Sequence, residues 1–349
     1  MKVPVVIVNW NGYQDTVECI DSVFKTKEVQ WEIHLIDNGS DNKEGVELEE
    51  RYRSNDRVII YQSKKNLGFT GANNYILQSL LDAEEYRFIA LLNNDTTVHP
   101  EWLQNMVKGA INEDAQMISA KMLNYYDRTR IDNLGHQMLN TGEIMPIAHG
   151  ESAEVYQKSF SNLGSCAGAT LYSTEMLREI GVFDSFFNTG YEDAELGLRA
   201  TLAGYRSVFI PDAIIYHKGG QSIRKIFDKK YAKSIQVSIW YTYFKLMPTG
   251  AILISMPFIF VKIALLTFIN ILFLRRSYLQ IQWNAISDTI FKHRRTILKK
   301  RIEFYRSINT IGSWQILQRQ RFFLGYDVKR FYHIFIKGQK SALDQYGGK

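Results

Sequence analysis

Cysteine is almost missing from this chain: Cys19 and Cys166 are the only two in 349 residues. No disulfide framework and no cysteine-based zinc site can be built from them. The first residues show no secretory-leader pattern either. Met1-Lys2-Val3-Pro4 runs straight into a strand-like segment, so a reducing cytosolic compartment is the expectation. No G-x-G-x-x-G follows the first apolar run and no P-loop occurs, which disfavours a dinucleotide dehydrogenase or a nucleoside triphosphatase. Internal repeats and low-complexity tracts are also lacking. What remains, at 46% hydrophobic and 22% charged residues, is a globular chain with room for one large domain or two ordinary ones.

Charge is plentiful but unevenly spread. Residues 1–274 carry 26 Lys and Arg against 32 Asp and Glu, a net −6. Residues 275–349 carry 16 against 4, a net +12. A mildly acidic body with a basic tail does not suit a nucleic-acid domain spread over the whole chain.

The first half alternates near-continuous apolar runs with helical patterns. Val3–Asn9, Trp31–Asp37, Val58–Tyr61 and Phe88–Leu92 read as strands buried on both faces. Helices are expected at about 13–26, 43–54, 70–83 and 100–112. This alternation argues for a doubly wound α/β sheet, whose ligand crevice lies at the carboxyl ends of the strands. Those ends carry Asn9-Trp10-Asn11, Asp37-Asn38-Gly39-Ser40 and Asn93-Asn94-Asp95. Residues 124–162 are polar and weakly periodic, and read as inserted hairpins or loops. Further on, helices are expected from Thr174 and over Glu192–Ala203, and strands over Arg206–Pro211 and Ala213–His217. A Lys- and aromatic-rich helical stretch then leads to Pro248.

Residues 251–274 hold 16 Leu, Ile, Phe and Val and one charge, Lys262. As a helix they would reach ~36 Å, against a hydrocarbon core of ~30 Å, so length permits a span. A single span, however, would put the basic tail on the side opposite the body, against the positive-inside tendency if the body faces the cytosol. Ser255, Lys262 and Asn270 fall in one narrow sector of the helical wheel, and Pro257 is expected to kink or disrupt the helix. These features favour attachment to one face of an anionic membrane, with Arg275, Arg276, Arg294, Arg295, Lys299, Lys300 and Arg301 on headgroups. A buried core or dimer helix, and a nucleic-acid-binding tail, are the other readings.

Seven segments stand in order along the chain: VVIVNWNG (5–12), LIDNGSDN (35–42), NLGFTGANN (66–74), LLNNDTTV (91–98), GSCAGATLYS (164–173), GVFDSFFNTGYEDAELGLRA (181–200) and PDAIIYHKGGQS (211–222). Together they resemble inverting glycosyltransferase family 2, in its bacterial rhamnosyltransferase-like branch, over about residues 3–245. The resemblance implies a GT-A fold over residues 1–245, with a nucleotide-binding half at about 1–97 and an acceptor half at 98–222. Residues 246–349 would then form a helical membrane-associating region.

The resemblance also implies roles. Asp37 and Asn9 would contact the base of the nucleotide, although Asp37 before Gly39 also suits a plain Asx turn. Asn66 and Gly71 lie in a turn whose exposed amides suit a nucleotide or a simple helix cap. Asp95 matches a metal-ligand aspartate for Mg²⁺ or Mn²⁺, Asn93 stands where the motif's first aspartate would be, and His217 matches a late metal-binding histidine. Asp193 matches the catalytic base and Glu192 its acidic neighbour, though acidic residues belong at a helix start anyway. Ser222, Arg224 and Lys225 follow two glycines and are candidates for a lid over the diphosphate.

The expected activity is transfer of a sugar from a dTDP- or UDP-linked donor, L-rhamnose favoured, to a lipid-linked glycan, at the cytoplasmic face of a bacterial plasma membrane. The alternatives are transfer of a UDP-hexose or UDP-N-acetylhexosamine, and a non-catalytic nucleotide-sugar scaffold. No nucleic acid is expected as partner.

Overall fold

Alternate residues of the first apolar run face opposite sides of a sheet, and both sides are covered. In the computed structural model, which describes residues 1–219 and 226–332, Lys2–Asn9 forms β1, Gln30–Asp37 β2, Val58–Gln62 β3 and Phe88–Leu92 β4. Val3, Val5 and Ile7 of β1 join Phe88, Ala90 and Leu92 of β4 in one hydrophobic core with Ile20, Trp102 and Met106 from two helices. Val6, Ile89 and Leu91 are buried on the other face. Burial on both faces is why these strands read as unbroken apolar runs.

β1, β2, β3 and β4 are parallel, and Asn9 pairs with Asp37 at the shared carboxyl end. The connecting helices are α1 (Tyr13–Val23), α2 (Glu44–Tyr52) and α3 (Gly68–Asp82). Beyond β4 the sheet becomes mixed. β5 (Thr96–Val98), α4 (Trp102–Asn112), β6 (Met117–Asn124) and β7 (Ile131–Asn133) follow in the chain. After β8 (His136–Leu139) and β9 (Ile144–Pro146) come β10 (Phe160–Asn162), β11 (Ala169–Ser173), α5 (Thr174–Ile180), α6 (Glu192–Leu202) and β12 (Ser207–His217). The sheet order is β10-β12-β6-β11-β4-β1-β2-β3, with β5 on β12 and β7 on β6. β11 runs antiparallel between β4 and β6.

One expectation changes here. The strands expected over Arg206–Pro211 and Ala213–His217 are one strand, β12, whose register against β6 shifts between Ile210 and Ile214. Pro211 has no N–H for the ladder, and a bulge absorbs it. The polar stretch 124–162 does form hairpins, with β8 and β9 paired and β10 at the edge of the main sheet.

The described residues form two compact units, 1–136 with 146–219 and 137–145 with 226–332. Within the second unit, packing joins α7 (Lys229–Leu246) to the helices after it. Arg301 donates to the carbonyls of Phe244 and Met247 at 3.0 and 2.6 Å, and Tyr305 Oη donates to Leu246 O at 2.6 Å. These groups close the open C-terminal end of α7. Arg301 is therefore a helix cap rather than a headgroup contact.

In the second unit α8 (Thr249–Leu272) is unbroken, and Pro257 lies inside it on the exposed side. Ser255, Lys262 and Asn270 are buried, and the Lys262 ammonium is paired with Glu143 and, at 2.9 Å, with Asp327. The apolar side faces outward, with Leu253, Phe260, Phe268 and Leu272 each about two-thirds exposed (60–69%). The polar stripe is thus the inner face of the helix. By length and composition α8 could cross a membrane.

Candidate active site

The carboxyl ends of β1, β2 and β4 are joined by one hydrogen-bond chain. Asn94 Nδ2 donates to Thr16 Oγ1 at 2.9 Å, and Thr16 Oγ1 donates to Asn9 Oδ1 at 2.7 Å. Asn9 Nδ2 donates to Asp37 Oδ1 at 2.8 Å. Ser40 adds its hydroxyl to Asp37 Oδ1 at 2.6 Å and its amide to Asp37 Oδ2 at 3.2 Å, so the Asx turn is formed. Glu44 Oε2 accepts from the amides of Gly12 and Tyr13 at 2.9 and 3.1 Å, where the start of α1 leaves donors open. Asn9 is completely enclosed, so it orients Asp37 rather than meeting a base, as had been expected of it. No spacing rule flagged Glu44 or Ser40, which act through turns that join only in space.

Asn66 Oδ1 accepts from Gly68 N at 2.7 Å and from Asn38 Nδ2 at 3.1 Å, so it braces the turn into α3. The amides expected to be open there are taken: Phe69 N donates to Thr189 Oγ1 at 3.2 Å and Thr70 N to Asn188 O at 3.1 Å. Gly68, at φ +74°, leaves no room for a Cβ, which would stand 2.0 Å from Asn188 Oδ1. The start of α3 is a packing contact with the 184–191 loop through Gly68, Phe69 and Thr70, while Gly71 meets only Leu67 of its own turn. This helix start is not a vacant anion cradle.

Asp95 and His217 do come together. Both are nearly buried, and His217 Nε2 lies 3.2 Å from Asp95 Oδ1. The other ring nitrogen, Nδ1, is 2.7 Å from Asp132 Oδ2. Burial disfavours a charged ring, but the two carboxylates outweigh it and push the His217 pKa up to about 10. Nε2 is buried without a well-directed hydrogen bond among the described residues. A buried imidazole nitrogen beside a carboxylate fits two ligands of a divalent cation whose other positions come from a ligand and water. Among the described residues no group of three or more His, Cys, Asp or Glu forms a complete cage. Asn93 is half-buried beside this pair, its amide N donating to Gly168 O at 2.9 Å.

Gly190 and Tyr191, at φ +93° and +79°, turn the chain sharply into α6. For Tyr191 this left-handed conformation costs about 1–3 kcal/mol, a strain typical of functional turns. It delivers Asp193, whose Oδ2 accepts from Ala167 N at 3.0 Å and whose Oδ1 accepts from Ala194 N at 2.8 Å. The Asp193 side chain keeps 17% exposure, and His136 Nε2 lies 3.8 Å away. Burial keeps His136 below the usual histidine range, against the pull of Asp193. Glu192 is buried, and its Oε2 has no hydrogen-bond partner among the described residues. Burial, then the Asp193 charge, pushes its pKa up to about 8. One carboxylate is therefore presented and its neighbour is kept neutral. The loop 164–168 carries both contacts, since Ala167 holds Asp193 and Gly168 holds Asn93.

Glu195 is fully buried and holds Arg199 through a bond of 2.8 Å. Arg199 in turn donates to the carbonyls of Gly181 and Val182 at 3.1 and 2.8 Å. Lys218 Nζ is 2.7 Å from Asp15 and 2.5 Å from Glu18. Ser222, Arg224 and Lys225 lie outside the described residues.

Residues 5–181 match the family described as glycosyl transferase family 2. An uncharacterized protein of Sinorhizobium fredii is 27% identical over 220 residues, 59% of this chain and 23% of that protein. The bifunctional glycosyltransferase pgtA of Dictyostelium discoideum is 30% identical over 103 residues, 29% of this chain and 13% of that protein. The chain thus spans less than a quarter of the length of either relative. GalNAc-T7, solved with UDP, GalNAc and Mn²⁺, superposes with a TM-score of 0.53 at 18% identity, covering 70% of this chain and 50% of that one. S. aureus TarS 1–349, solved with UDP-GlcNAc, has a TM-score of 0.50 at 16% identity, covering 69% and 66%. With the mixed sheet described above and a family match over half its length, this chain belongs to glycosyltransferase family 2 and has its GT-A fold.

Proposed function

We propose that this chain is a metal-dependent inverting glycosyltransferase acting on a lipid-linked glycan at the cytoplasmic face of a bacterial plasma membrane. The observation that carries the reading is the pairing of a presented Asp193 with an enclosed Glu192, whose neutral form burial favours, joined by the 164–168 loop to Asn93, two positions before Asp95 of the Asp95–His217 pair. Asp193 takes the proton of an acceptor hydroxyl as its oxygen attacks the anomeric carbon. The bond from that carbon to the diphosphate breaks, its electron pair leaves with the diphosphate, and a single displacement inverts the centre. Asp95 and His217 would hold Mg²⁺ or Mn²⁺, which when bound offsets the charge of the leaving diphosphate. Glu192 adds no second negative charge beside the base.

The presence of UDP, GalNAc and Mn²⁺ in GalNAc-T7, and of UDP-GlcNAc in TarS, supports a nucleotide-sugar donor. Among donors we favour dTDP-L-rhamnose, on motif resemblance, with a UDP-hexose or UDP-N-acetylhexosamine as the in-class alternative. The outward apolar face of α8 and the basic tail support membrane attachment and an acceptor carried on lipid.

The test is a panel of labelled donors with a polyprenyl-diphosphate glycan acceptor, with and without Mn²⁺. Wild type transfers sugar from one donor, and Asp193→Asn loses about 10²–10⁴-fold in rate while still binding nucleotide. Undiminished transfer by Asp193→Asn would remove the base. Nucleotide binding with no transfer from any donor would favour the scaffold.

A further inference from the structure

We propose that Asp132 is the positioning residue of the cation site, fixing the His217 ring so that Nε2 faces Asp95. This inference rests on the cation reading above and adds a residue that no motif marks. Asp132 is the middle residue of β7, whose flanking residues Ile131 and Asn133 are buried and pair with Leu123 and Met122 on β6. His217 is the last residue of β12, in register with Asn124 on β6 and Thr96 on β5. Three strands therefore converge on one ring. An imidazole is free to rotate and to carry its proton on either nitrogen, and a ligand must have one chosen for it. Asp132 Oδ2, 2.7 Å from Nδ1, is placed to accept the proton there, which turns Nε2 toward Asp95 Oδ1 at 3.2 Å and makes it the nitrogen a cation would take. A carboxylate behind a ligating histidine is the common way of fixing that orientation.

The charged neighbours fit this assignment. Lys218 is turned to Asp15 and Glu18. His149, exposed, sits 3.6 Å from the other Asp132 oxygen, and its Nδ1 is held by the Asp132 carbonyl at 2.8 Å. A purely structural tie between β7 and β12 would use the same bond, so the test must read metal affinity.

Mn²⁺ binding to the full chain is titrated by electron paramagnetic resonance, with and without UDP or dTDP, alongside urea unfolding. Asp132→Ala raises the Mn²⁺ Kd by about 10–100-fold. Asp132→Asn, which keeps an acceptor for Nδ1 but loses the charge, raises it by a smaller factor, and His217→Ala abolishes tight binding. An unchanged Kd in folded Asp132→Ala, or in Asp132→Asn should the alanine variant not fold, overturns the inference and leaves the cation reading standing. A wild type that binds no Mn²⁺ with or without nucleotide overturns the cation reading and this inference with it.

Discussion

Glu192 and Asp193 are neighbours at the start of one helix, yet they meet different surroundings. Asp193 receives two backbone N–H groups and keeps contact with solvent. Glu192 is buried with one oxygen unpartnered, and burial beside a carboxylate raises its pKa to about 8. This has a consequence for stability. From about pH 4.5 to 8 the folded chain holds a proton that the unfolded chain has released, so rising pH disfavours the fold. Glu192→Gln removes that slope and gains on wild type by a few kcal/mol toward pH 9. Urea midpoints of both proteins at pH 5, 7 and 9 check it, and parallel profiles would refute it. The paired acids were visible in the sequence. Their division into one enclosed and one presented group was not, because it depends on which side chain the fold covers.

At the scale of elements, the position of Asp193 depends on how closely α6 approaches the 164–168 loop. Gly164 and Gly197 pack backbone to backbone, and a Cβ built on Gly197 would stand 2.8 Å from Gly164 Cα. Backbone cannot yield as a flexible side chain does, so Gly197→Ala must push the helix outward. The expected cost is about 1–3 kcal/mol, with a loss of transfer larger than the loss of folded protein. Thermal unfolding and single-turnover rates measured on the same sample check both effects. Wild-type rates with lowered stability would show that Asp193 is held by the Ala167 bond alone. The helix containing Gly197 was legible in the sequence, where Glu192 and Asp193 mark its acidic start. Its glycine contact, like the bulge that merges two expected strands into β12, belongs to pairing across the chain.

For the whole molecule, charge and exposed apolar surface concentrate in the second unit. The net +12 of residues 275–349 accompanies a helix whose outward face carries Leu253, Ile254, Phe260, Val261, Phe268 and Leu272. An exposed apolar face of this kind marks an interaction site, and the membrane attachment proposed above assigns it to anionic lipid. Flotation with vesicles of phosphatidylglycerol and phosphatidylethanolamine is expected to carry the chain. Raising salt to about 0.5 M weakens that binding without ending it, since screening removes only the ionic part. Phe260→Ser with Phe268→Ser weakens it by at least about ten-fold, because burying each ring is worth about 1.5–3 kcal/mol. Binding abolished by salt and indifferent to both phenylalanines would mean that the helix stays out of the bilayer.

Short-range chemistry was readable along the chain. The buried parallel strands announce themselves as apolar runs because both faces of each are covered, and the polar residues closing those runs stand where an α/β sheet puts its site. The inward sector of α8 was also readable, since helical spacing alone aligns Ser255, Lys262 and Asn270. Its meaning was decided in three dimensions. Lys262 is met by Glu143 and Asp327, 119 and 65 positions away, so the polar stripe faces protein and the apolar face is left outside. Asp132 reaches His217 across 85 positions in the same way. Periodicity reports what one element does with its own residues; which distant carboxylate neutralises a buried cation, or orients a ring, depends on contacts between elements that follow no spacing.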